Sequence, residues 1–112
     1  MAAAASPSTF ALFVGVDIAA ASATAAWLLP QGRASKAITI PQTADGYATL
    51  QQRLLTTGVP AAATLVVLEA TGTYWVSLAT TLHQQGFAIS VINPAQAHAF
   101  AKALLKRAKT DA

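Results

Sequence analysis

The stretch LFVGVDIAAAS, residues 12–22, decides the fold. Its apolar run predicts a buried β-strand over residues 10–19, and Asp17 stands at the carboxyl end of that strand. The whole chain has only four acidic residues. A carboxylate at the end of a buried strand therefore needs an explanation, and the neighbouring strands offer one.

The rest of the chain divides into strands and helices by the period of its apolar residues. Strands are predicted over residues 10–19, 23–29, 36–40, 63–69 and 87–92. Helices are predicted over residues 44–57, 73–85 and 95–110, the first capped by Thr43. The order βββαβαβα predicts an α/β fold with a mixed five-stranded sheet of order 3-2-1-4-5 and helices on both faces. In this order the fourth strand lies parallel to the first at the centre of the sheet.

Glu69 ends the predicted fourth strand just as Asp17 ends the first. Parallel neighbours bring both acids to the same end of the sheet, where matched register would place them about 5 Å apart at Cβ. Two like charges at that distance repel by about 3 kcal/mol at an effective dielectric of 20. A divalent cation with a preference for oxygen ligands, Mg²⁺ or Mn²⁺, would turn this repulsion into a binding site. The alternatives are that Asp17 forms a turn and that Glu69 complements the dipole of the following helix.

The predicted last helix has two distinct sides. Its apolar sector comprises Ala97, Phe100, Ala101, Leu104, Leu105 and Ala108. Four of the seven basic residues of the chain also fall here: Lys102, Lys106, Arg107 and Lys109. This cluster would suit a nucleic-acid backbone, or else forms a solvated helix face. If the helix continues to its end, Asp111 projects on the apolar side towards the first and fourth strands; the alternative is a frayed terminus in solvent.

The composition narrows the class of protein. The 112 residues correspond to one domain, and only 10% of them are charged, which is low for a free-standing domain. We therefore expect more chain or a partner, such as a second copy, to cover part of the surface. The absence of cysteine excludes disulfides and thiolate metal sites. No signal peptide or membrane span is predicted, so we expect a cytoplasmic protein with no membrane partner and a disordered tail over residues 1–9.

The pattern resembles the ribonuclease-H-like fold, and three stretches narrow the resemblance. FVGVDIAAAS, LEATGTYW and VINPAQAHAFAKALLKRAKTDA are similar to the N-terminal, RuvC-like domain of DEDD transposases. These are bacterial insertion-sequence recombinases, one group of which is guided by a bridge RNA. The resemblance covers about residues 12–112, so we expect residues 10–112 to form the catalytic domain.

The resemblance implies that Asp17, Glu69 and Asp111 are the first three acids of a catalytic tetrad. In the family these acids hold two Mg²⁺ ions for cleavage and strand transfer of DNA. The fourth acid follows three residues after the third, a position beyond Ala112, and a C-terminal domain with a serine follows. We therefore expect this chain to be the front part of such a protein, with little activity alone and weak metal affinity.

Two other hypotheses remain open from the sequence. The first is half of an actin-like ATPase or sugar kinase, with GVDIAAASATAAW as its phosphate hairpin; that run lacks the polar residues that usually hold phosphate. The second is a non-catalytic module for RNA binding or dimerisation, with inert acids. Tight ATP binding would favour the first, and a dimer without any effect of metal on stability would favour the second.

Overall fold

The structure is a computed structural model that describes residues 10–70 and 72–93. Its strands are β1 (Leu12–Ile18), β2 (Ser22–Leu28), β3 (Ile38–Pro41), β4 (Thr64–Glu69) and β5 (Ala88–Ile92). Its helices are α1 (Ala44–Leu55) and α2 (Val76–Gln84), and a 3₁₀ turn over Ala61–Ala63 leads into β4. The tail predicted over residues 1–9 and the helix predicted over residues 95–110 lie outside the described residues.

The five strands form one sheet in the order β3-β2-β1-β4-β5. β1 pairs antiparallel with β2 and parallel with β4, while β2 pairs antiparallel with β3 and β4 parallel with β5. This confirms the predicted α/β class, the predicted strand order and the central pairing of the first and fourth strands.

One face of the sheet carries the core. In β1, Leu12, Val14 and Val16 are buried and alternate with exposed residues, and they pack in one apolar cluster with residues of α1 and α2. The crossovers from β3 to β4 and from β4 to β5 run in the same direction across the sheet. Crossovers of the same right-handed sense and direction place their helices on the same face. Both described helices therefore cover one side.

Local signals set the ends of the helices. The Thr43 side chain accepts a hydrogen bond from the backbone N–H of Gly46 (3.1 Å), as predicted for the cap of α1. α2 begins at Val76 rather than at residue 73, because the residues before it form turns. Gly72 has a positive φ of 59°, and the indole Nε1 of Trp75 donates to its carbonyl oxygen (3.1 Å). Neither described helix is long and apolar enough to cross a membrane.

The second face of the sheet, which we call the open face, is uncovered by any described helix. Its central residues alternate with the core residues of the same strands: Phe13, Gly15 and Asp17 in β1; Thr24, Ala26 and Leu28 in β2; Leu65, Val67 and Glu69 in β4. Phe13 is 40% exposed and Leu28 is 46% exposed. The candidate site lies at one end of this face.

Candidate metal-binding site

The register of β1 and β4 brings Asp17 and Glu69 together. Gly15 pairs with Val67 and Val16 pairs with Leu68, so the next position along both strands sets Asp17 beside Glu69. Both acids belong to the open face and stand at the carboxyl ends of parallel strands, as the sequence predicts. The repeat of two residues in a strand is what gives both side chains the same direction.

The backbone on either side of the acids is tied into the sheet. Asp17 pairs with Thr24 of β2, and Glu69 pairs with Ile92 of β5. Beyond Asp17 the chain turns at once, with the N–H of Ala19 donating to the carbonyl of Ser22 (2.9 Å). Beyond Glu69, the N–H of Ala70 donates to the carbonyl of Ile92 (2.8 Å). Both carboxylates therefore start from ordered backbone, which is the condition for a site of defined geometry.

The two acids differ in exposure. Asp17 is exposed and Glu69 is half-buried. At the roughly 5 Å that separates adjacent strands, two ionised carboxylates repel, and contact with water screens much of that repulsion. A cation placed between them would remove the remaining repulsion. Carboxylate oxygens without nitrogen or sulfur donors suit a hard ion such as Mg²⁺ or Mn²⁺.

A shallow groove of about 670 Å³ runs from the acids along the open face. Its walls are mainly apolar, with Phe13, Leu28 and Val67 among them, and Asp17 and Glu69 lie in the same groove. At Gly15 an added Cβ would meet nothing within 4 Å, so the glycine leaves its part of the floor open. The acids therefore stand at the polar end of an otherwise apolar groove.

The described residues contribute two acids to this site. They contain no group of three or more His, Cys, Asp or Glu side chains that could hold a metal ion. Asp111, the third acid of the prediction, lies outside the described range, as do the basic residues Lys102, Lys106, Arg107 and Lys109. Their assignment to the site stays a prediction.

Sequence reasoning missed two features around the acids. The apolar groove lies on the face to which Ala26 and Leu28 belong, because these residues alternate with the buried residues of β2. This alternation can be read from the sequence. The second feature is the side chain of Gln42, which contacts the chain beyond Asp17 and the chain beyond Glu69. Its partners are 23 and 32 positions away, and no local pattern indicates such contacts.

Comparison with known proteins identifies the family of the sequence. The sequence matches the DEDD transposases of the IS110 type, a family described as transposase, over residues 14–112. It is 46% identical over 46 residues to the pilin gene-inverting protein of Moraxella bovis, and 44% identical over 46 residues to that of Moraxella lacunata. Each match covers 41% of this chain and 14% of the relative. The matching segment is thus a small part of either relative.

Proposed function

This chain belongs to the DEDD transposase family of the IS110 type, and we propose that it forms the metal-binding part of a DNA recombinase. In this proposal Asp17, Glu69 and Asp111 hold divalent cations, two Mg²⁺ or Mn²⁺ ions in the whole protein, for cleavage and strand transfer of DNA. The observation that carries the proposal is the shared end and shared face of Asp17 and Glu69 on adjacent parallel strands.

The family and the relatives support a DNA substrate. Two relatives are named as proteins that invert a pilin gene, and inverting a gene requires breaking and rejoining DNA. We extend that chemistry to this chain, with a cytoplasmic location that gives access to DNA. Membership of a transposase family argues against the alternative of an actin-like ATPase or sugar kinase.

The roles of the residues follow from their chemistry. Asp17 and Glu69 would each offer carboxylate oxygens to an ion between β1 and β4, and Asp111 would add a third carboxylate. A bound metal ion supplies stabilisation of charge on phosphate oxygens and lowers the pKa of a nucleophilic oxygen. The site stays open to water at Asp17, so water would complete the coordination of a bound ion.

Nucleic-acid partners complete the proposal. Lys102, Lys106, Arg107 and Lys109 would contact the phosphate backbone of DNA, of a guide RNA, or of both. A second copy of the chain would cover part of a surface with so few charges. The sequence and the family are the grounds for proposing these partners. Binding measurements with DNA and with RNA test the nucleic acids, and light scattering tests the second copy.

Paramagnetic broadening by Mn²⁺ tests the metal site directly, since NMR detects weak binding residue by residue. We expect titrated Mn²⁺ to broaden first the amide signals at the carboxyl ends of β1 and β4. Asp17→Asn should weaken this binding, because it replaces a charged carboxylate ligand by a neutral amide. The matched control is Asp45→Asn, which removes an exposed carboxylate from the first turn of α1 and should leave the broadening unchanged.

Two results would contradict the proposal. Equal broadening in Asp17→Asn and in the native chain would exclude Asp17 as a ligand. Absence of broadening at β1 and β4 in the native chain would favour the non-catalytic alternative, in which the acids are inert and the domain serves assembly or RNA binding.

A further inference from the structure

The side chain of Gln42 connects the two segments that follow the acids. Gln42 lies between the end of β3 and the capping residue Thr43. Its Nε2 group donates to the carbonyl oxygen of Ala19 (2.8 Å) and to that of Tyr74 (2.9 Å). Ala19 belongs to the turn after Asp17, residues 19–21, and Tyr74 belongs to the turn after Glu69, residues 72–75. We call these two segments the acid loops.

A third hydrogen bond anchors this amide to the core. The hydroxyl of Tyr47 donates to Oε1 of Gln42 (2.7 Å), and Tyr47 is only 6% exposed. The backbone N–H of Gln42 also donates to the carbonyl of Ala21 (3.0 Å), which ties the residue itself to the first acid loop. Gln42 thus links a buried side chain of α1 with both acid loops.

The chemistry of these contacts selects glutamine. Two carbonyl oxygens need donors, and the primary amide supplies both N–H groups to them. The tyrosine hydroxyl needs an acceptor, and the amide oxygen supplies it. A flipped amide would turn its oxygen towards two carbonyls and lose these contacts. A glutamate would likewise turn an oxygen towards the two carbonyls. An asparagine is shorter by one methylene group and therefore does not match the reach of this side chain.

We infer that Gln42 is a positioning residue that holds the two acid loops against each other, and so limits the motion of the segments that border Asp17 and Glu69 in the proposed metal site. This inference rests on the proposed function. Residues hydrogen-bonded to the metal ligands themselves change metal affinity by about 10- to 100-fold when they are replaced. Gln42 contacts the acid loops and not the carboxylates, so we expect a smaller loss. The contacts of Gln42 to the acid loops are exposed, so water replaces them in a variant and the fold persists while the acid loops become more mobile.

The test uses one substitution at two sites. Gln42→Met keeps the length and neutrality of the side chain and removes all three side-chain hydrogen bonds. Gln51→Met is the matched control, because Gln51 donates a side-chain hydrogen bond across the helices to Gln85 (3.0 Å) without contact to either acid loop. Each variant loses side-chain hydrogen bonding between separate segments of the chain. A general effect of such a loss would therefore appear in both variants.

Two measurements on each variant separate positioning from stability. The first is the ¹⁵N backbone order parameter of both acid loops without metal, and the second is Mn²⁺ affinity from paramagnetic broadening, well below the melting temperature. We expect Gln42→Met to lower the order parameters of both loops and to weaken Mn²⁺ binding measurably, by less than the loss of a direct partner of a ligand. We expect Gln51→Met to change neither quantity. Tyr47→Phe, which keeps both donations to the carbonyls, should have a smaller effect in the same direction.

The outcomes distinguish failure of the inference from failure of the proposed function. Acid loops that stay rigid in Gln42→Met would overturn the inference, as would loops that loosen without any change in Mn²⁺ affinity. An equal loss of affinity in Gln51→Met would also overturn it, because the effect would then be general. If the native chain shows no broadening at Asp17 and Glu69, the proposed metal site fails and the positioning role of Gln42 falls with it.

Discussion

At the scale of single residues, Asp17 and Asp45 should respond in opposite ways to the same substitution. Both aspartates are exposed, but Asp17 stands beside Glu69, whereas Asp45 lies in the first turn of α1. Asp17→Asn removes a repulsion and should stabilise the metal-free chain by up to about 1 kcal/mol after screening by water. Asp45→Asn removes a favourable interaction with the helix dipole and should destabilise the chain by about 0.3–1 kcal/mol.

Thermal unfolding with a chelator present measures both changes. In separate samples without chelator, Mn²⁺ should raise the melting temperature of the native chain and of Asp45→Asn, because a ligand that binds only the folded state stabilises it. Asp17→Asn should gain little. A loss of stability in metal-free Asp17→Asn would mean that this carboxylate makes a net favourable contact, which is the turn-forming alternative considered from the sequence.

The residues of the candidate site could be predicted to different degrees. The shared face of Asp17 and Glu69 follows from strand order and a period of two residues, so the sequence was sufficient. The contacts of Gln42 depend on how three segments meet in space. Their partners are two backbone carbonyls, which every residue carries, and therefore no residue type in the acid loops marks them.

At the scale of elements, the joint between β3 and α1 depends on a glycine. Gly46 is the third residue of α1 and is buried. On an exposed helix, replacing glycine by alanine gains up to about 1 kcal/mol. Here an added Cβ would overlap the carbonyl oxygen of Pro41 at the end of β3. We expect Gly46→Ala to destabilise the chain by about 1–3 kcal/mol, as overpacking does elsewhere, and urea unfolding measures this loss.

Gly15→Ala is the control for that prediction. Gly15 has free space around its added Cβ and no positive φ, so alanine there should leave stability almost unchanged. A Gly46→Ala chain as stable as the native chain would show that α1 can shift away from β3 at little cost. Such freedom would also weaken the link from Tyr47 to Gln42, which depends on the position of α1.

The elements themselves were predictable where a chemical signal marks the boundary. Thr43 marks the start of α1, and the alternation in β1 marks its buried face. The end of α1 lies at Leu55, two residues before the predicted end. The sequence predicts the start of α2 at residue 73, because the apolar residue Trp75 continues the helical period. Its indole instead closes a turn on Gly72, and the helix begins at Val76. The choice between a turn and a first helical turn depends on such a contact, which periodicity does not record.

At the scale of the whole molecule, the described sheet has a covered face and an open one. α1 and α2 lie on the same side, while the open face exposes Phe13 and Leu28 beside the acids. The sequence predicts a further helix over residues 95–110 with an apolar sector that includes Phe100 and Leu104. Burial of both apolar surfaces would be favourable by about 25 cal/mol for each Å² removed from water.

A spin label tests whether this helix covers the open face. The chain has no cysteine, so Leu28→Cys and Ala48→Cys each allow one label, the first on the open face and the second on the exposed side of α1. We expect the label at position 28, but not the label at position 48, to broaden the amide signals of Phe100 and Leu104. The physical reason is that paramagnetic broadening reports proximity, and the exposed side chains of Phe13 and Leu28 give the apolar sector a surface to bury on the open face.

The same labels distinguish coverage by this chain from coverage by a second copy. In a mixture, one chain carries the spin label without ¹⁵N, and the other carries ¹⁵N without a spin label. Signals then broaden only through contact between two molecules. Broadening of Leu65 and Val67 in this mixture would place a second copy on the open face and contradict the prediction. Broadening confined to the singly labelled ¹⁵N chain would place residues 95–110 there, and Asp111 would then approach the end of the sheet where Asp17 and Glu69 meet.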